Sequence, residues 1–110
     1  MSGIYEFTYP ETGRALVAFN ETYVNNRYED FYEEEFREVL ARNEVLIVDV
    51  TKNEYIGSRW WKMLGRLGEK ARREGRKVVI AGASVELRKT PDIIAVSPNL
   101  DWVKDINEVS

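Results

Sequence analysis

The sequence predicts an α/β fold: a single domain with a mixed central β-sheet, made of an N-terminal hairpin plus parallel βαβ units and packed by about four helices. Three observations carry this expectation. Val45-Leu46-Ile47-Val48-Asp49-Val50 is a short, nearly unbroken apolar run, as expected of a strand buried on both faces. Lys77 to Ala81 is a second such run. Between them lies a long stretch with apolar residues at spacings of three and four, the mark of an amphipathic helix. Strand, helix, strand across Val45–Ala81 reads as one βαβ unit, with parallel pairing and a right-handed crossover.

The totals bound the function. The chain has 110 residues, enough for one domain spanning 1–110, and 44% hydrophobic content supports a core. With 16 basic and 19 acidic residues the net charge is -3, which argues against direct nucleic-acid binding. Cysteine and histidine are both absent. That removes disulfides, thiol chemistry, the commonest general base and the commonest metal ligand. No apolar stretch is long enough to span a bilayer. Met1-Ser2-Gly3-Ile4 shows no basic segment leading into an apolar one, so a cytoplasmic location is expected. No phosphate-cradling glycine loop is visible, and no cofactor or metal is expected.

The elements follow in order. Ile4 to Tyr9 alternates, with Tyr5, Phe7 and Tyr9 on one face, as a half-buried strand does. Pro10-Glu11-Thr12-Gly13 is turn chemistry, and Arg14 to Phe19 is the return strand. Residues 20–26 read as a loop. Asn26 and Glu29 resemble a capping pair for a helix over about 27–42, with Tyr28, Tyr32, Phe36, Val39 and Leu40 as its stripe. Glu29, Asp30, Glu33, Glu34 and Glu35 crowd its first half, as a solvated face or an acidic docking patch.

After the strand at 45–50 comes a loop over 51–57, then a helix over about 58–74 stopped by Gly75. Trp61, Leu64, Leu67, Gly68 and Ala71 share its inner side, with Trp60 at the edge as core or exposed interface aromatic. Gly65 and Gly68 would let this helix lie close on the sheet. Arg59, Lys62, Arg66, Lys70 and Arg73 make a basic outer face. A short helix is expected from Ser84 to about Lys89, ended by Thr90-Pro91. A last strand is expected over 93–96, then a C-terminal helix capped by Asn99 with Leu100, Val103 and Ile106 as its stripe.

Chemistry concentrates at Gly57-Ser58. Glycine allows the turn and the serine hydroxyl can cap free backbone N–H groups, so Ser58 sits at a helix N-terminus, where an anion or phosphate is well placed. Asp49 lies near the carboxyl end of a buried strand, the edge where ligands gather in α/β sheets. It reads equally as a carboxylate bonded to nearby loop amides. No general base faces any nucleophile, so the chain is expected to be non-enzymatic.

The residues Val45-Leu46-Ile47-Val48-Asp49-Val50-Thr51 and Tyr55-Ile56-Gly57-Ser58 resemble the V-V-L-D-L-S strand and F-I-D-S-S-G-L-G turn of STAS domains, the anti-sigma factor antagonist family. Glu74-Gly75-Arg76-Lys77-Val78-Val79-Ile80-Ala81 and Ala83-Ser84-Val85-Glu86-Leu87-Arg88 resemble that family's next strand and its S-P-E-V-R-R helix. The resemblance implies a regulatory protein-interaction module in transcription control. Its partner would be an anti-sigma factor with serine kinase activity. Ser58 would be the phosphorylated residue, and Asp49, Thr51, Gly57, Ser58, Arg59, Trp60 and Lys62 would form the docking face. Gly57 stands where the family carries an acidic residue, and Arg59-Trp60-Trp61-Lys62 replaces S-G-L-G. Trp60 is therefore expected to block or reshape partner approach. Thr90-Pro91-Asp92 cuts short the helix that the family pattern would continue. A second reading is a small-ligand, nucleotide or lipid-binding STAS-like domain using a pocket above Asp49 and the basic helix face. Trp60 and a free sheet edge also leave a homodimer open.

Overall fold

A computed structural model describes residues 3–109; Met1 and Ser2 of the N-terminal reading lie outside them. In chain order the elements are β1 (Tyr5–Glu11), β2 (Arg14–Phe19), β3 (Tyr23–Val24), α1 (Asp30–Ala41), β4 (Val45–Asp49), β5 (Tyr55–Ile56), α2 (Ser58–Arg73), β6 (Lys77–Ala81), α3 (Val85–Ile93) and β7 (Asp101–Val103). Short 3-10 turns cover Ser97–Asn99 and Ile106–Glu108. The main sheet has the order β1-β2-β4-β6-β7. β1 and β2 form the antiparallel hairpin, and β2, β4, β6 and β7 are parallel neighbours. Ala18 pairs with Asp49, Asp49 with Ala81, and Ala81 with Val103, so these four residues line the carboxyl edge of the parallel strands. The hairpin and the parallel βαβ unit stand where the sequence placed them.

The apolar alternation explains the layering. Ala15, Val17, Leu46, Val48, Val78 and Ile80 share one cluster with Phe36, Leu64 and Leu87, which come from all three helices. Val45, Ile47, Val79 and Ala81 point the other way and gather under Val109 of the C-terminal segment. A strand that is buried on both faces is what an unbroken apolar run encodes. No helix among the described residues is long and apolar enough to cross a membrane.

The last quarter of the chain departs from expectation. α3 runs on to Ile93 through Pro91, which is buried in the final turn. The missing proline N–H costs one intrahelical bond there rather than ending the helix. Residues 93–96 are not a strand. Ile93 is 82% exposed, and the chain turns at Ala95, with φ of 62°, to bring Val96 against α2. The edge strand is β7, and no C-terminal α-helix follows among the described residues. Leu100, Val103 and Ile106 mimic a helical stripe but belong to a turn, a strand and a second turn. Among the described residues three α-helices, not four, pack the sheet.

A further correction concerns Gly65 and Gly68, which do not lie on the sheet. A Cβ on Gly65 would stand 2.7 Å from Val96 Cβ, and one on Gly68 would stand 2.1 Å from the Asn99 carbonyl oxygen. These glycines admit the 96–100 connection against α2. The outer edge strand β1 contains Pro10 and a register shift between Thr8 and Glu11, features that blunt strand addition.

Candidate functional site

The site is built where β4 leaves the sheet. Asp49 Oδ1 accepts hydrogen bonds from Thr51 N–H at 3.1 Å and from the Thr51 hydroxyl at 2.6 Å. The carboxylate therefore closes the turn that starts the 50–57 loop, as the loop-amide reading proposed. Asp49 also lines a small cleft of about 230 Å³ with Lys52, Phe19 and Asn20.

The loop is then tied to the 20s segment. Asn53 Nδ2 donates to Glu21 O at 2.5 Å, and Glu54 N–H donates to Thr22 O at 2.8 Å. β3 and β5 pair in parallel, Tyr23 opposite Tyr55 and Val24 opposite Ile56. Gly57 N–H closes this pair on Val24 O at 2.7 Å. This second sheet leaves no sign in the residue pattern, because two-residue strands are too short to show alternation.

α2 starts immediately afterwards. Ser58 is not its cap: Gly57 holds the N-cap position in extended backbone and Ser58 is the first helical residue. The acceptor comes from elsewhere. Asn26 Oδ1 receives the Arg59 backbone N–H at 3.1 Å. Asn26 was expected to cap α1, but α1 begins at Asp30 after Glu29 with no side-chain cap. Gly57 is what admits this contact, since a Cβ there would stand 2.1 Å from Asn26 Oδ1. The glycine that replaces the family's acidic residue thus has a local cause. Ser58 itself is partly exposed, and its hydroxyl is engaged by no described residue.

Trp60 corrects another expectation. It is 0% exposed and cannot be an interface aromatic, nor can it obstruct a partner or support a dimer. Its ring stacks on Tyr32 with centroids 5.2 Å apart and meets Phe19 and Tyr28 edge-on at 5.2 and 5.3 Å. Its indole N–H donates to Asn25 O at 3.0 Å. A run of aromatics that close-packs in this way buries large area, with favoured edge-to-face geometry. Asn25 and Asn26 are the site residues the sequence reading missed. Asn25 carried no signal, and Asn26 read as a local cap for the helix that follows it; neither pattern speaks of a partner some 30 positions on.

The charged faces sort themselves out. Arg66 Nη2 and Nε bond both carboxylate oxygens of Glu33 at 2.6 and 3.1 Å. That hydrogen-bonded pairing lowers the Glu33 pKa from its ordinary value. Tyr28 donates to the same carboxylate at 3.0 Å, and burial first, then Glu33, pushes its phenol up to about 12. Glu35 accepts the Tyr5 hydroxyl. Lys70 pairs with Glu74 and Arg73 with Glu69. Glu33 and Glu35 of the acidic crowd on α1, and Arg66, Lys70 and Arg73 of the basic stripe on α2, are therefore spent within the molecule. Arg59 and Lys62 differ: both are exposed, and neither forms an ion pair among the described residues. They are the cations nearest Ser58 in sequence, Lys62 lying one helical turn on.

A cleft of about 550 Å³ opens beside this helix start. Val24, Tyr28, Tyr32 and Trp60 line it with Arg27 and Arg59. The structure thus brings Arg59 and Trp60 together at one cleft and Gly57 and Arg59 together at Asn26. No hydrogen bond among the described residues joins the Asp49–Thr51 pair to Gly57-Ser58. No group of acidic side chains among them could hold a metal ion.

Comparison with known proteins now places this geometry. No curated protein matches the chain in sequence. Its fold is similar to that of the anti-sigma factor antagonist SpoIIAA in its unphosphorylated form, with a TM-score of 0.66 at 7% identity, over 94% of this chain and 90% of that one. The STAS domain family matches residues 13–108, and the chain belongs to that family.

Proposed function

We propose that this chain is an anti-sigma factor antagonist. In this reading it is a non-enzymatic module that acts in the cytoplasm, binds an anti-sigma factor with serine kinase activity, and is switched by phosphorylation at Ser58. The observation that supports the reading is the position of Ser58: partly exposed and first in α2, with its hydroxyl free and the nearby Arg59 and Lys62 unpaired among the described residues. A helix N-terminus tolerates an added phosphate. The same charge in a snug interface is costly to desolvate unless paired. Asp49, Thr51, Ser58, Arg59 and Lys62 would make up the docking face, with Gly57 and Trp60, both buried, supporting it from beneath. Incubation with the anti-sigma kinase and ATP should raise the intact mass by one phosphate, and Ser58→Ala should abolish the gain. An unchanged mass despite stable binding would leave an antagonist without the switch.

The second reading, a small-ligand, nucleotide or lipid-binding domain, is favoured by one observation, the 550 Å³ cleft with its aromatic floor and two arginines. It moves from Asp49, whose cleft is less than half that size. A ligand co-purifying with the chain, and lost on Arg59→Ala, would support it.

A further inference from the structure

We infer that Asn26 is a positioning residue for Ser58, and that it couples a phosphate on that serine to the loop walling the large cleft. The inference rests on the reading of Ser58 as a phosphorylated residue. A helix start leaves its first N–H groups without intrahelical acceptors. In α2, Trp60 N–H and Trp61 N–H both turn to Gly57 O, at 3.1 and 3.3 Å. Arg59 N–H goes to Asn26 Oδ1, a neutral carboxamide from 33 residues earlier. The adjacent Asn25 carbonyl takes the Trp60 indole N–H. Two neighbouring loop residues therefore clasp two neighbouring helix residues, and Asn25 and Asn26 both line the cleft.

A phosphate on Ser58 would be attached one residue before the N–H that Asn26 holds. It brings three acceptor oxygens and nearly two negative charges. Charge-assisted hydrogen bonds are roughly twice as strong as neutral ones. The phosphate therefore takes the Arg59 N–H and Asn26 is released. The loop that carries Asn25, Arg27 and Tyr28 then loses one tie to α2 and keeps the Asn25–Trp60 bond and the Tyr28–Trp60 ring contact. Phosphorylation thus acts twice: it places charge on the docking face and it loosens the cleft wall.

The test is nuclear magnetic resonance on the full chain carrying genetically encoded phosphoserine at position 58. The chain's three tryptophans give three indole N–H signals. We expect the Trp60 indole and the Asn26 side-chain amide to shift. Exchange of the Trp60 indole proton should accelerate roughly fivefold, the scale of one lost cap. Trp61 and Trp102 should stay in place and so report an intact fold. Asn26→Ala without phosphate should reproduce the Trp60 shift. If that variant fails to fold, phosphoserine on the chain that keeps Asn26 decides alone. Unmoved Trp60 and Asn26 signals in the phosphorylated chain would overturn the inference, because the phosphate would then be held by groups that Asn26 does not use. Since no kinase is needed, a kinase that ignores Ser58 is a separate result and bears only on the proposed function.

Discussion

The two flanks of α2 are held by different means. On the Trp60 flank the helix meets side chains: a ring of aromatics, the Asn26 carboxamide and the Glu33 carboxylate. On the other flank it meets the 96–100 connection at glycine distance, with the Asn99 main-chain carbonyl seated over Gly68 and the stiff, β-branched Val96 side chain over Gly65. The two adjacent tryptophans mark the divide. Trp60 donates its indole N–H to Asn25. Trp61 packs 5.8 Å from Trp102, itself covered by the Arg88 guanidinium at 4.2 Å, and its buried indole nitrogen has no partner among the described residues. Side-chain contacts can rearrange through rotamers, whereas a backbone seated at glycine distance cannot. The first flank can therefore respond to a change at Ser58 while the second anchors the helix.

Glycine substitutions probe this difference most strongly. Gly68→Ala would gain up to ~1 kcal/mol of helix propensity. The added methyl would nevertheless meet a main-chain carbonyl at 2.1 Å. We expect a net loss of about 2 kcal/mol in urea unfolding, the scale of an overpacked core. A stabilised variant would break the comparison. Gly57→Ala meets an equally close atom, but that atom is the end of a side chain that can swing away, and the Asn26 backbone nitrogen at 3.1 Å need give by only a few tenths of an ångström. Its cost should be about 1 kcal/mol, one helix cap, and the rest of the fold should be undisturbed.

The smallest effect belongs to the Glu33–Arg66 pair, which ties α1 to α2 on the adaptable flank. Arg66 favours the charged Glu33 in the folded state and lowers its pKa below the ordinary 4.5. Its stabilisation is thus present above about pH 4.5 and is lost as pH falls through the lower folded value. Glu33→Gln should cost ~0.5 kcal/mol at neutral pH, as partly exposed ion pairs do. It should also flatten the loss of stability below pH 4.5. An unchanged acid profile would remove this pair from the account.

The legible parts of the chain were those with a strong local period. The runs at 45–50 and 77–81 and the helix between them declare themselves, because burial on both faces and a 3.6 period leave few other readings. The turn to Ser58 was legible from Gly57-Ser58 and from the spacing to Asp49. What failed depended on distant partners. Asn26 looked like a local cap because its true acceptor role, at Arg59, is set by a tertiary contact. Trp60 read as either core or exposed interface aromatic because one helix face cannot reveal that α1 and the hairpin close over it. The 93–103 stretch misled because apolar residues three apart fit a helix and a turn–strand–turn alike. Pro91 misled because a proline in the last turn ends nothing if its ring is buried.

In the proposed switch, charge at Ser58 controls partner binding. The most direct measurement is calorimetric titration of the anti-sigma factor with the unmodified chain and with the chain bearing phosphoserine at position 58. The phosphate should weaken binding by about a hundredfold or more, the scale of an uncompensated charge in an interface. Equal affinity for the two forms would contradict it.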